Sequence, residues 1–503
     1  MHNLSRRNFL GTAAASAALP RQSAARKRPN FVFFMPDELR AESLACYGHP
    51  VVKTPNFDRL AAEGVRFDQC HVQNTVCGPS RCSLMTGWPV HVRGHRSLYY
   101  GLHPDEPNLL RYLKEDGYDV YFFGKNDLLS PDSFPLSVTE WDSKTGDRQG
   151  NQNPWKPDDP HYYSFLFNKL PDRRKTSDYE NLQRAIDILK RPSDKPFCIY
   201  LPLLWPHPPF TAPEDFYSMY QTADLPPLRP PGLPRKPNFH AAIRHALRLD
   251  QLSGKDFRTI QAVYLGMVSY SDWLLGELMQ ALEQSGHVDD TALFTFADHG
   301  EWAGDFGLVE KWPSAMEDPL TRVPLIARVP GAKQGHVSQE IVELFDVMAT
   351  CLDLAGIEAR HTHFARTLSP QLHGASGDTR RAAFCEGGYN VYEPQCFEPL
   401  QGFSNPLNIY YPKVKLQNEH PETVTRSTMI RTLESKLILR PDGQSELYDL
   451  KKDPRELHNF YGDRSYASSQ SELEGRVLNW YIRTSDVAPM QLDPRGFPAR
   501  HTF

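Results

Sequence analysis

The sequence predicts an α/β protein: a large mixed, mainly parallel sheet flanked by helices, with a smaller C-terminal α+β domain built on an antiparallel sheet. Three observations carry that expectation. Unbroken apolar runs such as PNFVFFMP, from Pro29 to Pro36, lack the alternation of a half-exposed strand and suit a sheet covered on both faces. These runs alternate with amphipathic helical stretches, as crossover connections require. After about residue 365 the texture changes to segments such as TMIRTLESKLILRPDGQSELYDL, hairpin strands with a Pro441-Asp442-Gly443 turn.

In chain order, the first apolar run is a strand ending at Asp37-Glu38. TPNFDRLAAEGVRF follows as a helix, with Thr54 as N-cap, Pro55 in the first turn and Gly64 as C-cap. Residues 77–86 suit a short helix that Gly87 closes, with Pro79 in its first turn. PNLLRYLKEDG, at 107–117, is an amphipathic helix leading into the strand YDVYFFG and then Lys125. KPFCIYLPLL, at 195–204, is a strand that runs into Trp205-Pro206-His207-Pro208-Pro209. A helix around Tyr264 to Gln284 precedes the strand TALFTFA, which ends at Asp298-His299. Residues 130–180 and the proline-rich 211–240 read as surface insertions, the second expected to shape a binding site because it follows His207. A helix around Ser471 to Tyr481 ends the chain. The domain reading is a large domain over 29–365 and a smaller one over 366–503.

With 503 residues and a net charge of -5, the chain is long enough for this arrangement and carries no polycation for nucleic acid. Residues 1–28 read as a twin-arginine export signal, with Arg6-Arg7 before the short apolar run GTAAASAAL. That run falls short of the ~20 apolar residues of a membrane span. The expected location is therefore periplasmic or secreted, with the twin-arginine machinery as a partner. Eight cysteines in a chain this long form no disulfide framework, although Cys385 and Cys396 are a plausible pair in an exported protein. A Cys77–Cys82 bridge is disfavoured, because five positions along one helix do not bring two side chains together.

The chemistry gathers at strand ends, where reactive groups of such sheets cluster. Asp37-Glu38 and Asp298-His299 are two pairs of ligands suited to a hard divalent cation. Arg81, Lys125, His207 and Lys311 would surround that cation with positive charge, which favours a tetrahedral oxyanion. Cys77, at a helix N-terminus, is expected to have a lowered thiol pKa and so reads as a nucleophile.

Cys77-Gly78-Pro79-Ser80-Arg81, followed by Met85-Thr86-Gly87, resembles the signature of the type I sulfatases, in the alkaline phosphatase-like superfamily. PNFVFFMPDELR, GYDVYFFGK, LLWPHPPF and TALFTFADHGEWAGDFGLVEK are similar to that family's successive site segments, and RVPLIARVPG and ELYDLKKDPRE to later ones. The resemblance implies that Cys77 is converted to formylglycine by a maturation enzyme. It also implies a divalent metal, calcium or else magnesium, at Asp37, Glu38, Cys77, Asp298 and His299. Lys125 and Lys311 would contact sulfate, His207 would sit at the leaving oxygen, and Arg81 would hold the formylglycine oxygen near the metal. Two departures stand out. Glu38 replaces a common second aspartate, and Asp127 stands where relatives carry a histidine that assists sulfate elimination, so that Asp127 or another group such as His95 takes that place. The function implied is hydrolysis of organic sulfate esters, with carbohydrate sulfates as the first substrate class. The alternatives are a phosphonate or phosphate ester hydrolase with the same site, or a degenerate protein that binds sulfated glycans.

Overall fold

The computed structural model of the chain describes residues 28–143 and 153–488. The expected export signal, apart from Arg28, lies outside the described residues. The larger sheet contains nine strands: β1 (Asn30–Met35), β2 (Val65–His71), β3 (Asp119–Phe123), β4 (Glu140–Asp142), β5 (Phe197–Pro202), β6 (Thr291–Phe296), β7 (Arg322–Val323), β8 (Leu325–Arg328) and β9 (His336–Glu343). Their order is β4-β3-β5-β1-β6-β8-β2-β7, with β9 added on β2. The first five run parallel, as expected, whereas β8 enters antiparallel between β6 and β2. A separate antiparallel sheet holds β10 (Ala383–Gly387), β11 (Ser427–Arg431), β12 (Ser435–Leu439) and β13 (Glu446–Asp449).

The apolar run that announced β1 is central and buried along its whole length. Phe33 is fully buried among Tyr200, Phe294 and Phe296, with ring centroids 5.9–6.4 Å apart. Burying each such ring contributes about 1.5–3 kcal/mol, which fixes the register of β5, β1 and β6. Their carboxyl ends then open side by side. Asp37 follows β1, Lys125 follows β3, His207 follows β5, and Asp298-His299 follow β6, four strands adjacent in the order β3-β5-β1-β6.

Several local expectations shift. The first helix spans Pro55–Glu63, but Thr54 makes no side-chain cap. Its hydroxyl bonds Ala45 instead, and the buried Asp272 carboxylate accepts the Asn56 and Phe57 N–H groups at 2.9 Å. Gly64 is extended rather than left-handed; it is required because a Cβ there would lie 2.4 Å from the Ala327 carbonyl oxygen. The helix expected from Tyr264 begins ten residues earlier, spanning Gly254–Gln284 behind a Ser253–Asp256 capping box. All eight cysteines are free thiols, so Cys385 and Cys396 are not paired. The proline-rich insertion is tied down by Arg229, which bonds Asp305 and Glu42, and the mouth beside His207 is lined by other segments.

The second sheet docks where Cys77 is positioned. Glu386 of β10 donates its N–H to the Gln73 carbonyl (2.9 Å) and accepts from the Asn74 side chain (2.7 Å). Asn74 in turn accepts from the Val76 N–H at 2.7 Å, setting the turn into the Cys77–Thr86 helix.

Gly124 fixes the approach of Lys125. Its φ is +134°, and a Cβ would fall 2.0 Å from the Pro202 carbonyl oxygen, which accepts the Lys125 N–H at 2.8 Å. Gly124→Ala is expected to cost on the order of 1–3 kcal/mol and to displace Lys125. A lower denaturation midpoint together with reduced turnover checks this; an unchanged midpoint contradicts it.

Candidate active site

Asp37, Arg81, Asp298 and His299 are wholly buried at the floor of a cleft, while the side chains of Lys125, Asp127 and His207 remain 14%, 18% and 12% exposed at its rim. The open mouth has a volume of about 420 Å³ and is bordered by Lys125, Asp127, His207, Pro208 and Tyr410. The gradient separates groups that organise the site from groups that an incoming molecule meets.

Arg81 organises the floor. Its Nε donates to Asp298 Oδ2 at 2.8 Å, its Nη2 to Asp37 Oδ2 at 3.0 Å, and its Nη1 to the Lys125 carbonyl at 2.9 Å. Ser80 adds a 2.6 Å bond from its hydroxyl to the Asp298 carbonyl. Helical phase from Cys77 aims Ser80 and Arg81 back at the β6 end, while Gly87 closes the helix in the left-handed conformation (φ 68°) as expected. Against the opposing effect of burial, the Arg81 guanidinium, with Lys125, holds the Asp298 carboxyl well below the usual range. Burial likewise disfavours charge on Lys125 and Lys311, but the carboxylates around them outweigh it and both stay cationic.

Cys77 Sγ lies at the centre, 3.2 Å from His299 Nε2, 3.3 Å from Lys125 Nζ and 3.7 Å from Asp37 Oδ1. The expected lowering of its pKa does not occur. Burial, reinforced by the Asp37 carboxylate, pushes the thiol up and overrides the two lysines. As an unmodified thiol Cys77 is therefore poorly activated.

The donors Asp37, Cys77, Asp298 and His299 lie within 4.8 Å of one another, and Asp37, Glu38, Cys77 and His207 form a second such group. His299 Nδ1 donates to the Gly300 carbonyl at 2.9 Å, which fixes the tautomer and leaves Nε2 with its lone pair facing the cluster. Buried carboxylate oxygens with one imidazole fit a hard divalent cation, and Asp37, Asp298 and His299 are the residues that would hold it.

Glu38 belongs to the second of these groups. It ion-pairs with Lys311, and its Oε1 lies 3.2 Å from His207 Nε2. Its backbone is left-handed (φ 66°), a conformation costing about 1–2 kcal/mol that the Tyr264 hydroxyl supports by bonding the Glu38 carbonyl and the Arg40 N–H. Lys311 Nζ also lies 3.1 Å from His207 Nε2 and 3.3 Å from Glu310 Oε2. Asp127 Oδ2 is 3.1 Å from Lys125 Nζ. His95, the other candidate for the missing histidine, is engaged at both ring nitrogens, by the Tyr100 carbonyl (3.1 Å) and by Glu106 (2.8 Å). Burial opposes its charge, yet bonds to Cys82 and Glu106 push it up to about 10, so it is no neutral base near pH 7. Sequence reasoning missed Ser80, Tyr264, Glu310 and Lys413. Ser80 stood inside the quoted motif and Glu310 beside Lys311, but Tyr264 and Lys413 come from distant helices and carry no local signal.

A sequence profile described as Sulfatase matches residues 29–357, and one described as N-sulphoglucosamine sulphohydrolase, C-terminal, matches residues 401–482. The chain is 28% identical to the N-acetylglucosamine-6-O-sulfatase of Bacteroides thetaiotaomicron, over 91% of this chain and 87% of that one. It is 26% identical to the multifunctional alkaline phosphatase superfamily protein PehA of Trinickia caryophylli, over 93% and 96% of the two chains. The crystal structure of the phosphonate monoester hydrolase of Agrobacterium radiobacter superposes with a TM-score of 0.75 at 22% identity, covering 94% of this chain and 100% of that one. The first profile spans the two strand-end ligand pairs, Lys125, His207, Lys311 and the Cys77 motif together, and the chain belongs to the sulfatase family.

Proposed function

We propose that this protein hydrolyses sulfate esters of carbohydrates, using formylglycine made from Cys77 and a divalent metal, calcium in preference to magnesium. The observation that carries the reading is the position of Cys77 Sγ, within 3.7 Å of Asp37, Lys125 and His299 at once. The N-acetylglucosamine-6-O-sulfatase relative supports the carbohydrate class.

Formylglycine hydrate would supply a nucleophilic oxygen and a second hydroxyl, allowing sulfate to leave as the aldehyde re-forms. The cation held by Asp37, Asp298 and His299 would supply Lewis-acid charge for the sulfate oxygens. The chain's own groups do the rest. Arg81 holds the two aspartates in place. Lys125 and Lys311, both cationic, grip the sulfate beside Cys77. His207 donates Nδ1–H to the Pro208 carbonyl, and its Nε2, beside Glu38 and Lys311, delivers a proton to the departing oxygen when the ring is protonated. Asp127, beside Lys125 at the rim, takes up the proton released when sulfate is expelled. Pro208 and Tyr410 border the cleft at the mouth.

Twin-arginine export to the periplasm, after modification by a formylglycine-generating enzyme in the cytoplasm, completes the proposal. No helix among the described residues is long and apolar enough to cross a membrane. A second reading is phosphonate or phosphate ester hydrolysis at the same site, in keeping with a relative described as a multifunctional alkaline phosphatase superfamily protein. Comparing kcat/KM for a sulfate and a phosphonate ester on one preparation separates the two, and a phosphonate preference overturns the first.

Three outcomes follow from these roles. Peptide mass spectrometry is expected to find Cys77, and not Cys82, converted to an aldehyde, and Cys77→Ala should lower kcat/KM by roughly 10³-fold or more. Active enzyme with both thiols intact contradicts the mechanism. His207→Ala should reduce kcat by about 10²-fold on a sugar sulfate but much less on an aryl sulfate, whose leaving group needs no proton. Equal losses on both refute the proton-donor role. Dialysis against a chelator is expected to abolish turnover, with calcium restoring it better than magnesium; full activity without metal rules out the cation.

A further inference from the structure

Lys311 does not face the cleft as an isolated cation. Glu310 sits beside it with its two carboxylate oxygens 3.4 and 3.3 Å from Lys311 Nζ, and Glu38 ion-pairs with the same ammonium. Two carboxylates on one lysine would spend its charge before any anion arrived. A second lysine changes that balance. Lys413, on the Tyr411–Glu419 helix of the C-terminal region, is 5% exposed and donates to Glu310 Oε2 at 2.9 Å. Glu398 Oε1, also bonded by Gln417, lies 3.6 Å from Lys413 Nζ. The helix is anchored on both sides of this lysine, by Gln417 at Glu398 and by the Tyr410 ring against Phe165.

We propose that Lys413 is a positioning residue for sulfate recognition: by neutralising Glu310 it leaves the Lys311 ammonium available to the substrate anion. Lys413 need not touch the substrate. It acts through Glu310, which holds Lys311 in place without cancelling it as long as the second ammonium shares the carboxylate. Without Lys413, Glu310 is left to the Lys311 ammonium alone, and it competes with the ester for that charge. The region that carries this lysine is thereby part of anion binding. The inference rests on the sulfate-ester reading above.

The test is a charge-restoring double substitution. Wild type, Lys413→Met, Lys413→Arg and Lys413→Met/Glu310→Gln are compared on 4-nitrophenyl sulfate, with inorganic sulfate as competitive inhibitor. Lys413→Met should raise KM and the sulfate inhibition constant about tenfold, the scale of one interfacial charge, with a smaller change in kcat. Lys413→Arg should stay close to wild type. The double variant, which removes anion and cation together, should recover to within about threefold of wild type, since the two residues are coupled. A purely structural Lys413 predicts the reverse, with the double variant no better than the single one, and that result overturns the proposal. Unchanged inhibition by sulfate in Lys413→Met does so as well. Should Lys413→Met not fold, Glu310→Gln alone decides. It leaves two ammonium groups unopposed by that carboxylate, so inorganic sulfate should bind several-fold more tightly; unchanged or weaker inhibition refutes the idea. Wild type that turns over phosphonate but not sulfate esters would instead remove the functional reading, whatever the variants do.

Discussion

The site depends on one guanidinium. Arg81 is wholly buried and spans the carboxylates that end β1 and β6 while holding the backbone that ends β3. Two buried carboxylates that close repel each other strongly, and a planar cation with donors in a fixed fork offsets that repulsion while setting their angle. Removing one partner of such a buried network typically costs about 3–5 kcal/mol, because the remaining charges cannot be rehydrated. The motif is therefore structural as well as chemical: Cys77 arrives in the cluster on the same helix that delivers Arg81.

Charge is layered outward from that centre. The floor carries groups with no access to water. The rim carries Lys125, Asp127 and His207, each partly open and each next to a group of opposite charge or hydrogen-bonding capacity. A site assembled this way holds an anion between cations already in place, so little reorganisation accompanies binding. It also explains why the thiol form of Cys77 is a poor nucleophile here: an environment built to balance carboxylates raises the pKa of one more acidic group.

The C-terminal sheet is not an appendage to this centre. It holds the turn before Cys77 through Glu386, Asn74 and Gln73, and Trp312, next to Lys311, donates to the Thr423 carbonyl at 2.6 Å. Lys436 reaches back to the Met316 carbonyl (3.0 Å) and ion-pairs with Asp318, so the loop after Lys311 is fastened from the same side. Disturbance at that interface would reach both the nucleophile turn and the lysine loop.

Much was legible from the sequence alone because it is written locally. Apolar runs without alternation announced strands buried on both faces, and the polar residues after them marked a common edge. The Cys77-to-Gly87 string carried its own helix signals in Pro79 and Gly87. What the sequence could not settle depended on contacts between separate elements of the fold, some close in the chain and some hundreds of residues apart. The sequence set Glu38 beside Asp37 as a ligand candidate, and only the fold shows that the left-handed backbone supported by Tyr264 also pairs it with Lys311. His95 looked available until Glu106 occupied it. The thiol pKa followed helix position on paper, but in the fold it follows burial and Asp37. Local pattern determines which elements form and which chemical groups they carry. Only tertiary packing decides which charges meet out of water, because desolvation and Coulomb forces act through space and leave no spacing to read.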